Sequence, residues 1–131
     1  MACFSIEQAA PFRGMRLLLV EDDYLIAQAI KRMLERFGCE VVGPIPSLTD
    51  AKRLAEDERL HGGLLDINIR GGTSSEVARL FERRGTPFLF ITGYASPPLE
   101  EEDLLARRRL LKPISENALR IAILEEFVEA G

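Results

Sequence analysis

Cysteine and histidine are scarce in this chain. It holds two cysteines, Cys3 and Cys39, and one histidine, His61. Two cysteines cannot make a disulfide framework, and their spacing fits no metal motif. Both read as inert thiols in a reducing compartment, which points to the cytoplasm. Long apolar runs are missing too. Nothing approaches the roughly 20 residues of a membrane-spanning helix. Residues 1–14 lack a charged start followed by an apolar stretch, so they do not read as a secretory signal. Excess positive charge is also absent. Lys and Arg number 17 against 21 Asp and Glu, a formal net charge of -4. That argues against broad electrostatic binding to nucleic acid or an anionic membrane. Neither a nucleic acid nor a membrane is expected as a direct partner.

What is present fits one globular domain. The chain has 131 residues, 47% apolar and 29% charged, enough to bury a core without staples. Residues 1–14 show no periodicity and carry Pro11 and Gly14, so a loose N-terminal arm is expected there. The domain proper is expected over 15–131. Residues 15–20 are a short apolar run that ends in Glu21, Asp22 and Asp23. A strand of a buried parallel sheet looks like this where its end meets solvent. Ile26, Ala29, Ile30, Met33, Leu34 and Phe37 then follow helical spacing, and Gly38 closes that helix.

The same alternation continues. A second strand is expected over 39–42, followed by a loop at Gly43, Pro44 and Pro46. Ser47 caps a helix over about 48–59. A third strand, 62–67, carries Asp66 at its end, and Gly71 and Gly72 break the chain before a helix over 74–84. A fourth strand, 86–91, leads into Thr92, Gly93 and Tyr94. Pro97 and Pro98 forbid helix before about residue 99. Leu110 and Leu111 form a short fifth strand before Lys112 and Pro113, and a last helix runs over about 115–129. Five strand–helix repeats imply an α/β fold, a parallel sheet covered by helices on both faces. Ligands of such sheets sit beyond the C-terminal strand ends.

The special polar residues fall at those ends. Glu21 and Asp22 follow strand one, Asp66 ends strand three, Thr92 follows strand four and Lys112 follows strand five. Singly each has an ordinary explanation, as a helix cap, a loop residue, a turn or an exposed strand end. Together they should meet at one edge of the sheet. Three packed carboxylates repel, so at least one has a raised pKa unless a cation is present. Mg2+ suits such a site, because it is hard, seeks oxygen and needs few protein ligands. A nucleophilic carboxylate, a metal, the mobile charge of Lys112 and the hydroxyl of Thr92 are the parts needed for phosphoryl transfer to Asp66.

The stretches LLLVEDD, LLDINI, FLFITGY and LLKP together resemble the receiver domain of two-component response regulators, over about residues 15–128. The resemblance implies a flavodoxin-like five-stranded sheet in the order 2-1-3-4-5. It places the phosphoacceptor on Asp66, with Thr92 and Lys112 contacting the phosphoryl group. It makes Asp22 a direct Mg2+ ligand, Glu21 a largely water-mediated one and the backbone carbonyl of Asn68 a third. It also implies a cis peptide at Lys112–Pro113. The domain would be a cytoplasmic phosphoprotein rather than an enzyme, promoting its own phosphorylation and slow dephosphorylation. Its partner would be a sensor histidine kinase or a phosphotransfer protein.

The sequence departs from that family in two places, and both departures resemble a subgroup of it. Receivers carry an aromatic switch residue three positions before the lysine, and Arg109 stands there. Thr92 and Lys112 are close in sequence, so the fourth helix is expected to be short, displaced or mobile. The strand-four and third-loop stretches resemble a subgroup reading PFxFATGY and DVNLxxG, with Ile91 replacing an alanine. In that subgroup Tyr94 is a candidate for conformational readout, and the domains often stand alone beside unorthodox sensor kinases. Arg107, Arg108 and Arg109 read as a solvated face, with an acidic partner as the alternative. With His61 as the lone histidine, no internal phosphohistidine relay is expected.

In the last helix Leu119, Ile123 and Phe127 form one stripe, and Ile121, Leu124 and Val128 form a second. The second stripe is a candidate partner surface or homodimer contact. No output domain is expected after the last helix. The leading reading is therefore a stand-alone receiver that signals through protein contacts or serves as a phosphate shuttle or sink. A pseudo-receiver that binds a partner without phosphate is the alternative. A phosphatase is disfavoured, since Asn68 occupies the place where a general acid would stand.

Overall fold

The computed structural model describes residues 10–70, 72–95 and 97–129. The first strand, β1 (Arg16–Val20), is apolar and almost wholly buried. Asp23 ends the turn after it by accepting the Ile26 N–H at 3.1 Å, which caps helix α1 (Tyr24–Phe37). Gly38, with φ of 109°, closes α1 in the left-handed region that other residues avoid. Strand β2 (Glu40–Ile45) runs three residues past the expected end at Val42. Gly43 makes this possible. The register shifts between Leu18 and Val20, and a Cβ on Gly43 would lie 2.8 Å from the Leu19 carbonyl oxygen. Only glycine fits that bulge, so the strand passes through Pro44 instead of ending in a loop. The Gly43–Pro44 peptide is cis.

Helix α2 (Leu48–Asp57) starts at Ser47, whose side chain accepts the Asp50 N–H. Strand β3 (Gly62–Asp66) is buried at every position. A small antiparallel hairpin follows, made of β4 (Asn68–Ile69) and β5 (Gly72–Thr73). The sequence indicated only a break there. Helix α3 (Ser75–Arg84) ends at Gly85, and β6 (Phe88–Thr92) is again fully buried. Helix α4 (Glu102–Leu105) has four residues, the short fourth helix that two prolines and a short span require. It is nonetheless tied down. Leu104 is buried, Asp103 pairs with Arg79 at 2.5 and 2.9 Å, and Arg107 pairs with Glu82 at 3.0 Å while lying 4.1 Å over the Phe88 ring.

Strand β7 (Arg109–Leu111) is the fifth of the main sheet. Helix α5 (Glu116–Ile123) is capped by Ser115, which accepts the Ala118 N–H at 3.0 Å. The expected single helix to residue 129 instead widens to π geometry over Leu124–Glu129. There Phe127 rests on Gly62, where a Cβ would come within 2.7 Å of the ring.

The main sheet has the order β2-β1-β3-β6-β7 and is parallel throughout. This is the expected flavodoxin-like arrangement. Alternate strand residues serve opposite faces. Leu17, Leu19, Leu64 and Leu89 pack under α1 and α5, while Leu18, Val20, Leu65 and Phe90 pack under α2 and α3. Connections leave β1 in opposite directions, so a crevice opens between the ends of β1 and β3. The loose arm expected to residue 14 does not extend that far. Ala10–Phe12 form a 3-10 turn, and Phe12 is fully buried with its ring 5.1 Å from that of Phe37. An aromatic residue beside an apolar helix face gains more from burial than from solvent. Residues 1–9 of the arm lie outside the described residues.

Gly63 supplies a test of this packing. A Cβ there would lie 2.5 Å from the ring of Phe81, which is itself buried. Gly63→Ala should lower the unfolding free energy by roughly 1–3 kcal/mol in urea denaturation, the usual cost of overpacking.

Candidate functional site

Four strand ends converge on one cleft. β1 delivers Glu21 and Asp22, β3 delivers Asp66, β6 delivers Thr92, and the residue after β7 is Lys112. Ligand oxygens of Glu21, Asp22 and Asp66 all lie within 4.8 Å of one another. Glu21 and Asp66 are buried and Asp22 is half-buried. The Lys112 ammonium sits 2.6 Å from Glu21 Oε1 and 3.1 Å from Asp66 Oδ2. One cation thus faces three acids.

Backbone groups hold the acids in place. The Asp23 N–H donates to Glu21 Oε2 at 3.1 Å. The Asn68 N–H donates to Asp66 Oδ1 at 3.3 Å. The Arg70 N–H donates to Asp22 Oδ2 at 3.2 Å. Thr92 is buried, and its Oγ1 accepts the Tyr94 N–H at 3.1 Å, which leaves the hydroxyl proton free to donate elsewhere. The Lys112–Pro113 peptide is cis, as the resemblance implied.

Burial is the main reason the Asp66 carboxyl is pushed up from 3.8 to about 7. The neighbouring Glu21 carboxylate adds to the rise, and Lys112 only partly offsets it. The donor set suits a hard divalent cation. All three side chains offer carboxylate oxygen, and they are crowded enough to hold back a proton. Glu21 Oε1, although paired with the Lys112 charge, is buried without a hydrogen bond. A cation of Mg2+ type would satisfy both the excess charge and that oxygen.

Several other expected residues lie apart from the cleft chemistry. Tyr94 is adjacent and is 54% exposed. Arg109 points its guanidinium to the Leu105 carbonyl at 2.7 Å, so it braces the end of α4. Arg108 pairs with Glu125 at 2.6 Å and Arg107 with Glu82, so the arginine run is largely occupied within the chain. Ile121 and Val128 are exposed on the last helix, but Leu124 packs against the core. The second stripe therefore reduces to two residues. His61 accepts the Arg16 N–H on Nδ1 at 2.9 Å, at the β1 end opposite the cleft. The sequence did not reveal Arg70. Its contribution is a backbone N–H, which any residue but proline carries.

Comparison with known proteins bears on the same region. Residues 17–124 match the family described as response regulator receiver domain. The chain is 31% identical over 84 residues to the phyllosphere-induced regulator PhyR of Methylorubrum extorquens, a match covering 60% of this chain and 30% of that protein. It is 33% identical over 84 residues to the transcription factor SKN7 of Saccharomyces cerevisiae, covering 62% of this chain and 13% of that one. The chain thus spans well under half the length of these curated relatives. Among solved structures it resembles SdrG from Sphingomonas melonis Fr1, at 30% identity and a TM-score of 0.73, covering 86% of this chain and 94% of that one.

The raised carboxyl of Asp66 makes stability depend on pH. Folded protein holds this proton more tightly than unfolded chain does. Its contribution is therefore complete below about pH 4 and is lost as pH rises through about 7. In metal-free buffer at pH 8, Asp66→Asn should be more stable than wild type by roughly 1–3 kcal/mol. Added Mg2+ should narrow the gap by stabilising wild type. Thermal unfolding of both proteins at pH 5 and pH 8 checks this.

Proposed function

This chain belongs to the response regulator receiver domain family, and we propose that it works by accepting a phosphoryl group on Asp66 from a sensor histidine kinase or a phosphotransfer protein. One observation carries this reading. Asp66 stands 3.1 Å from the Lys112 ammonium and within 4.8 Å of two further acids that can share a cation. In the transfer an Asp66 carboxylate oxygen attacks phosphorus of a phosphohistidine. The P–N bond breaks, and its electron pair returns to the imidazole nitrogen of the donor. Lys112 follows the charge onto a new phosphoryl oxygen. The Thr92 hydroxyl donates to another, while its own oxygen stays held by the Tyr94 N–H. Glu21, Asp22, Asp66 and the backbone carbonyl of Asn68 would hold Mg2+, which neutralises charge on the phosphoryl oxygens.

An apolar groove beside Lys112 supports a helical donor. Its volume is about 380 Å³, and Ile26, Ala29, Met33, Pro113 and Ile114 line it. The signal leaves through protein contacts or with the phosphoryl group itself. Tyr94 is the candidate readout, because its N–H rests on the hydroxyl that would turn toward the phosphoryl group. Ile121 and Val128 remain candidates for a homodimer contact. The cytoplasm is the compartment where such donors and Mg2+ are at hand. A second reading, a pseudo-receiver that binds its partner without phosphate, draws on Arg109. That side chain is engaged with Leu105 where an aromatic switch would stand.

Incubation with a small-molecule phosphodonor and Mg2+ should add one phosphoryl group to wild type by mass spectrometry. Asp66→Asn should add none, and Lys112→Ala should slow the reaction at least about tenfold, as expected for losing a charge aimed at the transferring group. Partner affinity that is equal for wild type, phosphorylated protein and Asp66→Asn would favour the pseudo-receiver instead.

A further inference from the structure

Among the described residues, the Asp22 carboxylate takes a single hydrogen bond, from the Arg70 N–H at 3.2 Å. Its neighbours are held more firmly. Glu21 has a backbone N–H and the Lys112 charge, and Asp66 has the same two kinds of partner. Arg70 and Asp22 are 48 residues apart in sequence, so this contact exists only because of how the intervening chain folds. The hairpin of β4 and β5 supplies the placement. Asn68 pairs with Thr73 and Ile69 with Gly72. Ile69 is buried in the core cluster that reaches Leu48, and the Ser74 N–H closes back on the Ile67 carbonyl at 2.9 Å. Gly72, at φ of 134°, takes a backbone turn that other residues strain to adopt.

We propose that this hairpin is a positioning element for the divalent cation. The Arg70 backbone N–H fixes one oxygen of Asp22 and leaves the other for Glu21 and Asp66 to share a metal with. A donor on one carboxylate oxygen limits its rotation, which is how supporting groups orient metal ligands. The side chain of Arg70 has no part in this; the amide hydrogen does. The inference rests on the reading of the cleft as a Mg2+ and phosphoryl site, and it assigns to the hairpin how tightly that metal is held.

The test separates the amide from the side chain. Mg2+ alone is titrated into the full chain by calorimetry, with the Arg70 and Asp22 amide signals followed by NMR. Wild type should bind, and Arg70→Ala should bind within about twofold of it. Arg70→Pro, which lacks the N–H, should bind roughly tenfold more weakly, the usual scale for losing a supporting group of a metal ligand. Proline can also disturb the hairpin. A protein carrying an ester in place of the residue 70 amide, which keeps the side chain and backbone shape, should therefore weaken binding in the same direction. Equal Mg2+ affinity for the ester form and wild type would overturn the positioning role while leaving the proposed function intact. So would a loss in Arg70→Ala as large as that in Arg70→Pro. Failure of wild type to bind Mg2+ would overturn both.

Discussion

Three carboxylates share a cleft with one ammonium group, and the arrangement of this fold around its C-terminal edge follows from that imbalance. Glu21, Asp22 and Asp66 are brought together by β1 and β3, two adjacent inner strands. Lys112 arrives from the opposite edge, after β7, and spans Glu21 and Asp66 at once. Charges of one sign do not gather in a half-dry crevice unless the sheet compels it. Here the compulsion is hydrophobic. Every residue of β3 and β6 is buried, so the strands cannot slide to relieve the acids at their tips. The core thus pays for a site that would otherwise fly apart, and the unbalanced charge is of the kind a small hard cation could neutralise.

Most of this was legible in the sequence because it depends on period and on strand ends. The runs ending at Val20, Leu65 and Ile91 have the length and apolarity of buried strands, and the polar residue after each run marked the cleft. Arg109 was readable as a departure, although not as a brace on the Leu105 carbonyl. What escaped has a common cause. The continuation of β2 through Gly43 and Pro44, the hairpin after Asp66 and the widened turn at Phe127 are each settled by contacts with distant parts of the chain. Glycine and proline in a sequence announce a change of direction, but a bulge inside a strand and a loop between strands carry the same letters. The Arg70 contact was invisible for a deeper reason, since a backbone donor has no signature in residue type.

The segment between Thr92 and Lys112 shows how a reduced element can still be well placed. Four helical residues bury too little to fix themselves. Exposed ion pairs contribute little singly. Here Asp103, Arg79, Glu82 and Arg107 form a connected chain of charges from α4 to α3 and onto the face of Phe88. Leu99 and Leu104 supply the apolar part beneath it. The three consecutive arginines are therefore mostly fasteners within the domain, each reaching a different element, and the basic patch suggested by their spelling is largely spent.

The burial of Phe12 bears on anyone who would cut or graft this domain. A boundary drawn where the strand pattern begins, at residue 15, would discard a fully enclosed phenyl ring and uncover Phe37 beneath it. The core on the α1 and α5 face already includes Phe12, and the turn through Pro11 leads into it. Truncations, tags and fusion joints belong upstream of that turn.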